Sequence, residues 1–227
     1  MKKALGYFLL VLVLVCASLP LQGQKRIYTK GYKMQDFKSK TTKVVLDAGL
    51  LGRSVRQEVT SLWTISPYEF CTPSQYEKQK TNPDYYFLHT ETIRGIIYLT
   101  LEKGGKPDDS NDLKKPFNVV SVPITGEQDQ SGRVHIYMPA FISAIQDYAD
   151  AAMNSETAAY TGVKAICKGV PRGVTVVKDP DEADEAFTER FPKTAVQIIV
   201  TPTGDPSDKP RYHFTFGTED YRLYSFR

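Results

Sequence analysis

The chain has 227 residues, 41% of them hydrophobic and 24% charged, with a formal net charge of +3. This is an ordinary globular balance, and it excludes a disordered, collagen-like or disulfide-dense scaffold. The charge is uneven. Lys2 and Lys3 contribute +2 and residues 25–43 a net +6, which leaves −5 for residues 44–227. A basic leader therefore precedes a mildly acidic body.

Lys2 and Lys3, the apolar run 8–16 (FLLVLVLVC) and the tail 18–23 (SLPLQG) have the three-part pattern of a secretory signal peptide, with a cut expected after Gly23. The apolar run is shorter than the roughly 20 residues a bilayer span needs. No second run of that kind follows, so no transmembrane segment is expected after cleavage, and the chain is expected to be exported to the periplasm, the outer envelope or the medium. Val15 stands before Cys16, where a lipoprotein cut needs a small residue, so Cys16 is read as part of the apolar run and lipidation as the lesser alternative. The remaining cysteines, Cys71 and Cys167, form one disulfide in an oxidising compartment or stay as two buried thiols; the spacing leaves both open.

Residues 24–43 interleave Lys and Arg with Ile27, Tyr28, Tyr32, Met34 and Phe37. They are expected to be a solvated lead-in. The alternative is an arm for an anionic envelope surface, and nucleic acid is not an expected partner of an exported chain.

The fold is expected to start at Val44. Strand 44–47 runs into the turn 47–52 (DAGLLG) and an amphipathic helix, 53–63, with Val55, Val59, Leu62 and Trp63 on one face. A glycine turn between strand and helix is where phosphate binds in nucleotide-binding folds. Gly49 and Gly52 alone match neither the dinucleotide nor the P-loop fingerprint, so no cofactor is expected. Trp63, the single tryptophan, is read as a core plug at the helix end, with a sugar-stacking platform as the alternative.

Strand 68–71 follows, then a short charged helix, 74–80, opened by Thr72 and Pro73. Strand 85–91 (YYFLHTE) puts Tyr85, Phe87 and His89 on one face, with His89 near the carboxyl end, where α/β sheets bind ligands. No histidine or cysteine stands at metal-ligand spacing from it, so no metal is expected. Strand 96–101, a polar loop 103–115, strand 117–124 and a loop 126–132 come next. Asp108, Asp109 and Asp112 lack the spacing of a calcium loop.

The longest helix is expected over 139–153, opened by Pro139, with helix 158–168 and an edge strand 174–177 behind it. The acidic run 179–191 reads as a helix start whose carboxylates complement the dipole. Strand 195–201 and a hairpin, 211–216 with 220–226, end the chain. The hairpin carries Tyr212, Phe214, Phe216, Tyr221, Tyr224 and Phe226, with one face in the core and the other a candidate partner or carbohydrate surface.

The whole reads as one α/β domain over 44–227: a mixed sheet with helices packed on it and a C-terminal β-hairpin. The run VVLDAG, GRSVRQEVTSLW, PYEFCT, PSQYEKQK, YYFLHTE, roughly residues 44–91, resembles the amino-terminal α/β domain of the periplasmic Tol translocation protein. The resemblance is one of element order and carries no functional residue. It implies an interaction domain in a bacterial envelope.

The motifs G-x-S-x-G, S-x-x-K, H-E-x-x-H and C-x-x-C are missing, which lowers the expectation of an enzyme without excluding one. The leading expectation is an exported, non-catalytic module that binds an envelope protein or surface. The alternatives are an exported hydrolase with a pocket at the strand carboxyl ends and a carbohydrate-binding module. The binding candidates are Asp47, Gly49, Gly52, Trp63, His89, Tyr212, Phe214 and Tyr224; no residue is singled out as catalytic.

Overall fold

The computed structural model describes residues 34–105, 116–178, 194–202 and 212–227. The signal segment, residues 24–33, the aspartates of the 106–115 loop and the acidic run 179–191 lie outside the described residues.

The described strands form two sheets. In the first, β1 (Thr41–Val45), β2 (Tyr68–Cys71) and β3 (Tyr85–Ile93) are parallel, and β4 (Ile96–Lys103) and β5 (Phe117–Gly126) continue antiparallel, in the order β2-β1-β3-β4-β5. Helices α1 (Leu50–Leu62) and α2 (Pro73–Gln79) make the two crossovers between the parallel strands. The second sheet has the order β6-β7-β8-β9, from β6 (Thr175–Val177), β7 (Thr194–Val200), β8 (Tyr212–Gly217) and β9 (Leu223–Phe226). Between the sheets in sequence run α3 (Arg133–Asn154), α4 (Glu156–Thr161) and a 3-10 turn, Gly162–Ile166. The α/β class and the closing hairpin are as expected, but the hairpin belongs to a second sheet.

Strand alternation gives the first sheet two unlike faces. Val44, Tyr86, Leu88, Leu99 and Leu101 point into the main core with Val55, Val59 and Trp63 from α1 and with α3. Phe87 and His89 point the other way, to α2, where Tyr76 packs against both rings. Helix α2 starts as expected: Thr72 and Gln75 form a capping box ahead of the N1 proline.

Helix α3 is longer than expected. It begins at Arg133, and Pro139 is its seventh residue. The proline ring has no N–H to give the His135 carbonyl one turn back, so the helix carries a local defect there while packing on both sides holds it. Met138, Phe141, Ile142, Ala144, Ile145, Tyr148 and Ala149 are all buried, a stripe broad enough to serve both sheets. Phe141 meets Phe214 and Phe216 of β8 edge to face, at centroid distances of 5.6 and 5.5 Å.

The structure answers one open alternative and corrects one expectation. The cysteines are free thiols: Cys71 ends β2 in the first sheet, whereas Cys167 follows the second 3-10 turn, with Sγ against the Val163 carbonyl. The fold also starts earlier than Val44. A 3-10 turn, Met34–Ser39, buries Met34 and Phe37, and β1 begins at Thr41 with Lys43 inside the sheet. Three of the leader's cations are paired: Lys38 with Asp150, Lys40 with Asp36 and Asp84, and Lys43 with Glu69. Among the described residues no helix is long and apolar enough to cross a membrane.

Candidate functional site

Asp47 and Gly49 lie in the turn that leaves β1, and Gly52 lies in the first turn of α1, which starts at Leu50 rather than at residue 53. Asp47 Oδ1 accepts the Gly49 N–H at 2.9 Å, and Gly49 is the N-cap of α1 in an extended conformation. Gly52 sits inside the first turn of the helix, pressed against Asp47. A β-carbon there would overlap the Asp47 carbonyl oxygen and lie 2.6 Å from its Oδ1. Gly52 is therefore what this close approach to Asp47 demands.

The neighbour that this turn meets is the start of α3. Ser54 Oγ lies 2.7 Å from His135 Nδ1. Further along, Gln146 accepts the Thr64 N–H and donates to the Leu62 carbonyl. These contacts set α1 and α3 parallel, with their amino ends side by side at the carboxyl ends of β1, β3 and β5. The β3–β4 turn, Arg94–Gly95, joins the same end, because Glu127 N–H bonds to the Gly95 carbonyl at 2.9 Å. Gly132, in the left-handed region at φ 72°, turns the chain into α3. Asp129 accepts from the Ser131 N–H and from Thr125 Oγ1. Burial works to raise its pKa, but these donors and the nearby Arg133 outweigh it and hold the carboxyl below its usual range.

Two surface features distinguish this end. A pocket of about 70 Å³ opens between the ends of β5 and β7 and the start of α3, lined among others by Thr125, Asp129, Arg133, Tyr137, Ile198 and Thr201. At the same end of the fold are apolar side chains left to solvent: Leu50 is 65% exposed, Ile136 68%, Ile199 49% and Ile93 36%. They are four of the eight large apolar side chains exposed among the described residues, so exposure is concentrated at this end.

The other sequence candidates are elsewhere. His89 is the fifth of nine residues in β3, mid-strand and not near its end, and it faces α2, away from the side on which α1 packs. Its partner is Glu102, whose Oε2 lies 3.2 Å from His89 Nε2 and accepts the Tyr76 hydroxyl at 2.9 Å. Trp63 is 5% exposed, edge-on to Phe37, with Nε1 donating to Ser66 Oγ. Phe214 is buried; Tyr212 stacks on Phe226 and shares a hydroxyl contact with Tyr98. Tyr224 is half-buried, its hydroxyl 3.4 Å from both Asp220 carboxylate oxygens.

His135 is the histidine at the strand carboxyl ends. The sequence alone does not reveal it, because Pro139 has the chemistry of a helix start and residues 133–138 then have no register. Ser54, four residues after Leu50 on the α1 face toward α3, was legible only once that register was known. Among the described residues no group of three or more His, Cys, Asp or Glu converges as a metal site. Compared with protein-family models, curated proteins and solved structures, the chain matches none.

Proposed function

We propose that this protein is an exported, non-catalytic interaction module of the cell envelope, and that its partner docks where α1 and α3 begin. The observation that carries the reading is the gathering of Leu50, Ile93, Ile136 and Ile199, all exposed, around one end of the fold. Clustered exposed apolar surface costs solubility and marks interaction sites, whereas single exposed apolar residues carry no such meaning. The signal-type amino terminus and the resemblance of residues 44–91 to the Tol amino-terminal domain support export and an envelope setting. The test is binding in the envelope fraction by the native chain and by the double variant Leu50→Asp, Ile136→Asp. Both positions are exposed and lie in first turns of helices, where a carboxylate suits the dipole, so the variant is expected to fold, which circular dichroism checks. Loss of the partner supports the reading; full retention removes it.

The Ser54–His135 contact favours a second reading, an exported hydrolase at the same end. A serine hydroxyl within hydrogen-bond reach of an imidazole is the pair from which a nucleophile is made. A fluorophosphonate probe reports on it directly: labelling that disappears in Ser54→Ala supports a hydrolase, and no labelling of the native chain removes it. Phe214 lies in the core and Tyr212 is engaged with Tyr98 and Phe226, so no observation favours the carbohydrate-binding alternative.

A further inference from the structure

The β3–β4 hairpin closes on two residues, because Ile93 pairs with Ile96. Both of them, Arg94 at φ 52° and Gly95 at φ 76°, are in the left-handed region. A two-residue loop with two positive φ values is a type I′ turn, which prefers Asn-Gly, Asp-Gly or Gly-Gly. Gly95 suits it. Arg94 does not: in this conformation a β-carbon crowds the following carbonyl, and only a short polar side chain recovers that cost by bonding to nearby backbone.

Strain of this kind persists where the surroundings hold the residue in place, and it gathers at functional sites. The other described non-glycine residue with positive φ is Tyr221, at 55°. Its turn is held by Asp220, whose Oδ1 accepts the Arg222 N–H at 3.0 Å. The Arg94 side chain has no such role. It is exposed and makes no hydrogen bond or ion pair with the described residues. The bond from the Glu127 N–H to the Gly95 carbonyl is one that any residue at position 94 would allow. Local structure therefore disfavours an arginine here, and no contact within the described fold repays it.

Arg53 is in a similar position. It is exposed in the first turn of α1, where a cation opposes the helix dipole, and its side chain too has no described hydrogen bond or ion pair. Of the acids at this end, Asp47 is turned onto the Gly49 N–H and Asp129 onto the Ser131 N–H; Glu127 is exposed but does not pair with Arg94. Two guanidiniums thus stand open beside the exposed Leu50 and Ile93.

We propose that Arg94 is a specificity residue of the docking end, and that its guanidinium receives a carboxylate from an acidic segment of the protein partner. This rests on docking at the start of α1 and α3. The planar guanidinium takes a carboxylate through two parallel N–H bonds, and arginine is among the residues that carry most of the energy in protein interfaces. The hairpin tip holds that group out, with Ile93 next to it as apolar contact.

The test compares the native chain with Arg94→Asn, Arg94→Lys and Arg94→Glu. Two quantities are read: the melting temperature of the purified protein, and the adduct from a photo-crosslinking residue at Ile136 in the protein as it is made in its own cells. Arg94→Asn is expected to melt a few degrees higher, because Asn-Gly suits the turn, and yet to give a several-fold weaker adduct. Arg94→Lys keeps the charge and is expected to retain more adduct than Arg94→Asn; Arg94→Glu is expected to lose it. An adduct of native strength in Arg94→Asn or Arg94→Glu overturns the acidic contact and leaves the docking site standing. No adduct from the native chain overturns both. A melting temperature that falls in Arg94→Asn assigns the arginine to the fold and also overturns the proposal.

Discussion

Lys103 Nζ lies 2.9 Å from each carboxylate oxygen of Asp36, and Asp36 Oδ1 also accepts the Tyr86 hydroxyl at 2.7 Å. One carboxylate thus ties the 3-10 turn Met34–Ser39 to β3 and β4. Burial works to raise the Asp36 pKa, yet the donors from Lys103, Tyr86 and Lys40 outweigh it and hold it below its ordinary value. A depressed carboxyl contributes stability that is complete above the unfolded pKa, about 3.9, and is lost as pH falls toward the folded one. Asp36→Asn is expected to cost about 1.5–3 kcal/mol, the range for hydrogen bonds to charged groups, and to flatten the acid limb of the stability profile. Urea titrations at pH 7 and pH 3 check both effects.

Gly52→Ala sets two terms against each other. Alanine in a helix gains about 1 kcal/mol over glycine, but its β-carbon would overlap the Asp47 carbonyl. Overpacking of this kind costs about 1–3 kcal/mol, and the overlap is with backbone, which cannot swing aside. Net destabilisation is expected in chemical denaturation; a neutral or stabilising result would mean that the turn relaxes freely.

Phe141 is the ring through which α3 grips the second sheet, between Phe214 and Phe216. Phe141→Ala is expected to cost about 3–5 kcal/mol, as large aromatic truncations in cores do. Because α3 also packs on α1, the loss is expected as a single cooperative transition by tryptophan fluorescence and by circular dichroism. Two separate transitions would show that the sheets unfold independently.

The alternation within β3 and the Thr72–Pro73 start of α2 were legible in the sequence, because each is written in a few adjacent residues. The start of α3 was not. Pro139 has the chemistry of a first-turn residue, and only burial on two sides explains why the helix continues six residues before it. The leader also hid its structure: Lys38, Lys40 and Lys43 read as a solvated basic run, but each meets a carboxylate from a distant element. Asp47 and Gly49 were correctly placed in the turn, but the helix starts at Leu50 and not at residue 53, so Gly52 is helical; His89 was assigned to the wrong part of its strand. A strand's length, and hence the position of its end, depends on its partners, and β3 runs on to Ile93 because β4 pairs with it throughout.

The free state of Cys71 and Cys167 has a simple consequence. Burial raises both thiol pKa values, which keeps them protonated and slow to react at neutral pH. A reducing agent is expected to leave the melting temperature unchanged, and both Cys71 and Cys167 are expected to titrate as thiols after unfolding without reductant, in addition to Cys16 where residues 1–23 are retained. A melting temperature that falls on reduction would show a bridge.

The docking end is tested most directly by a photo-crosslinking residue placed at Ile136 in the protein as it is made in its own cells. A control at Tyr160, which is also exposed but lies on α4, reports on random collision. The expected result is a discrete adduct from position 136 and none from position 160. Equal adducts from both positions, or none from 136, would contradict a docking site at the start of α1 and α3.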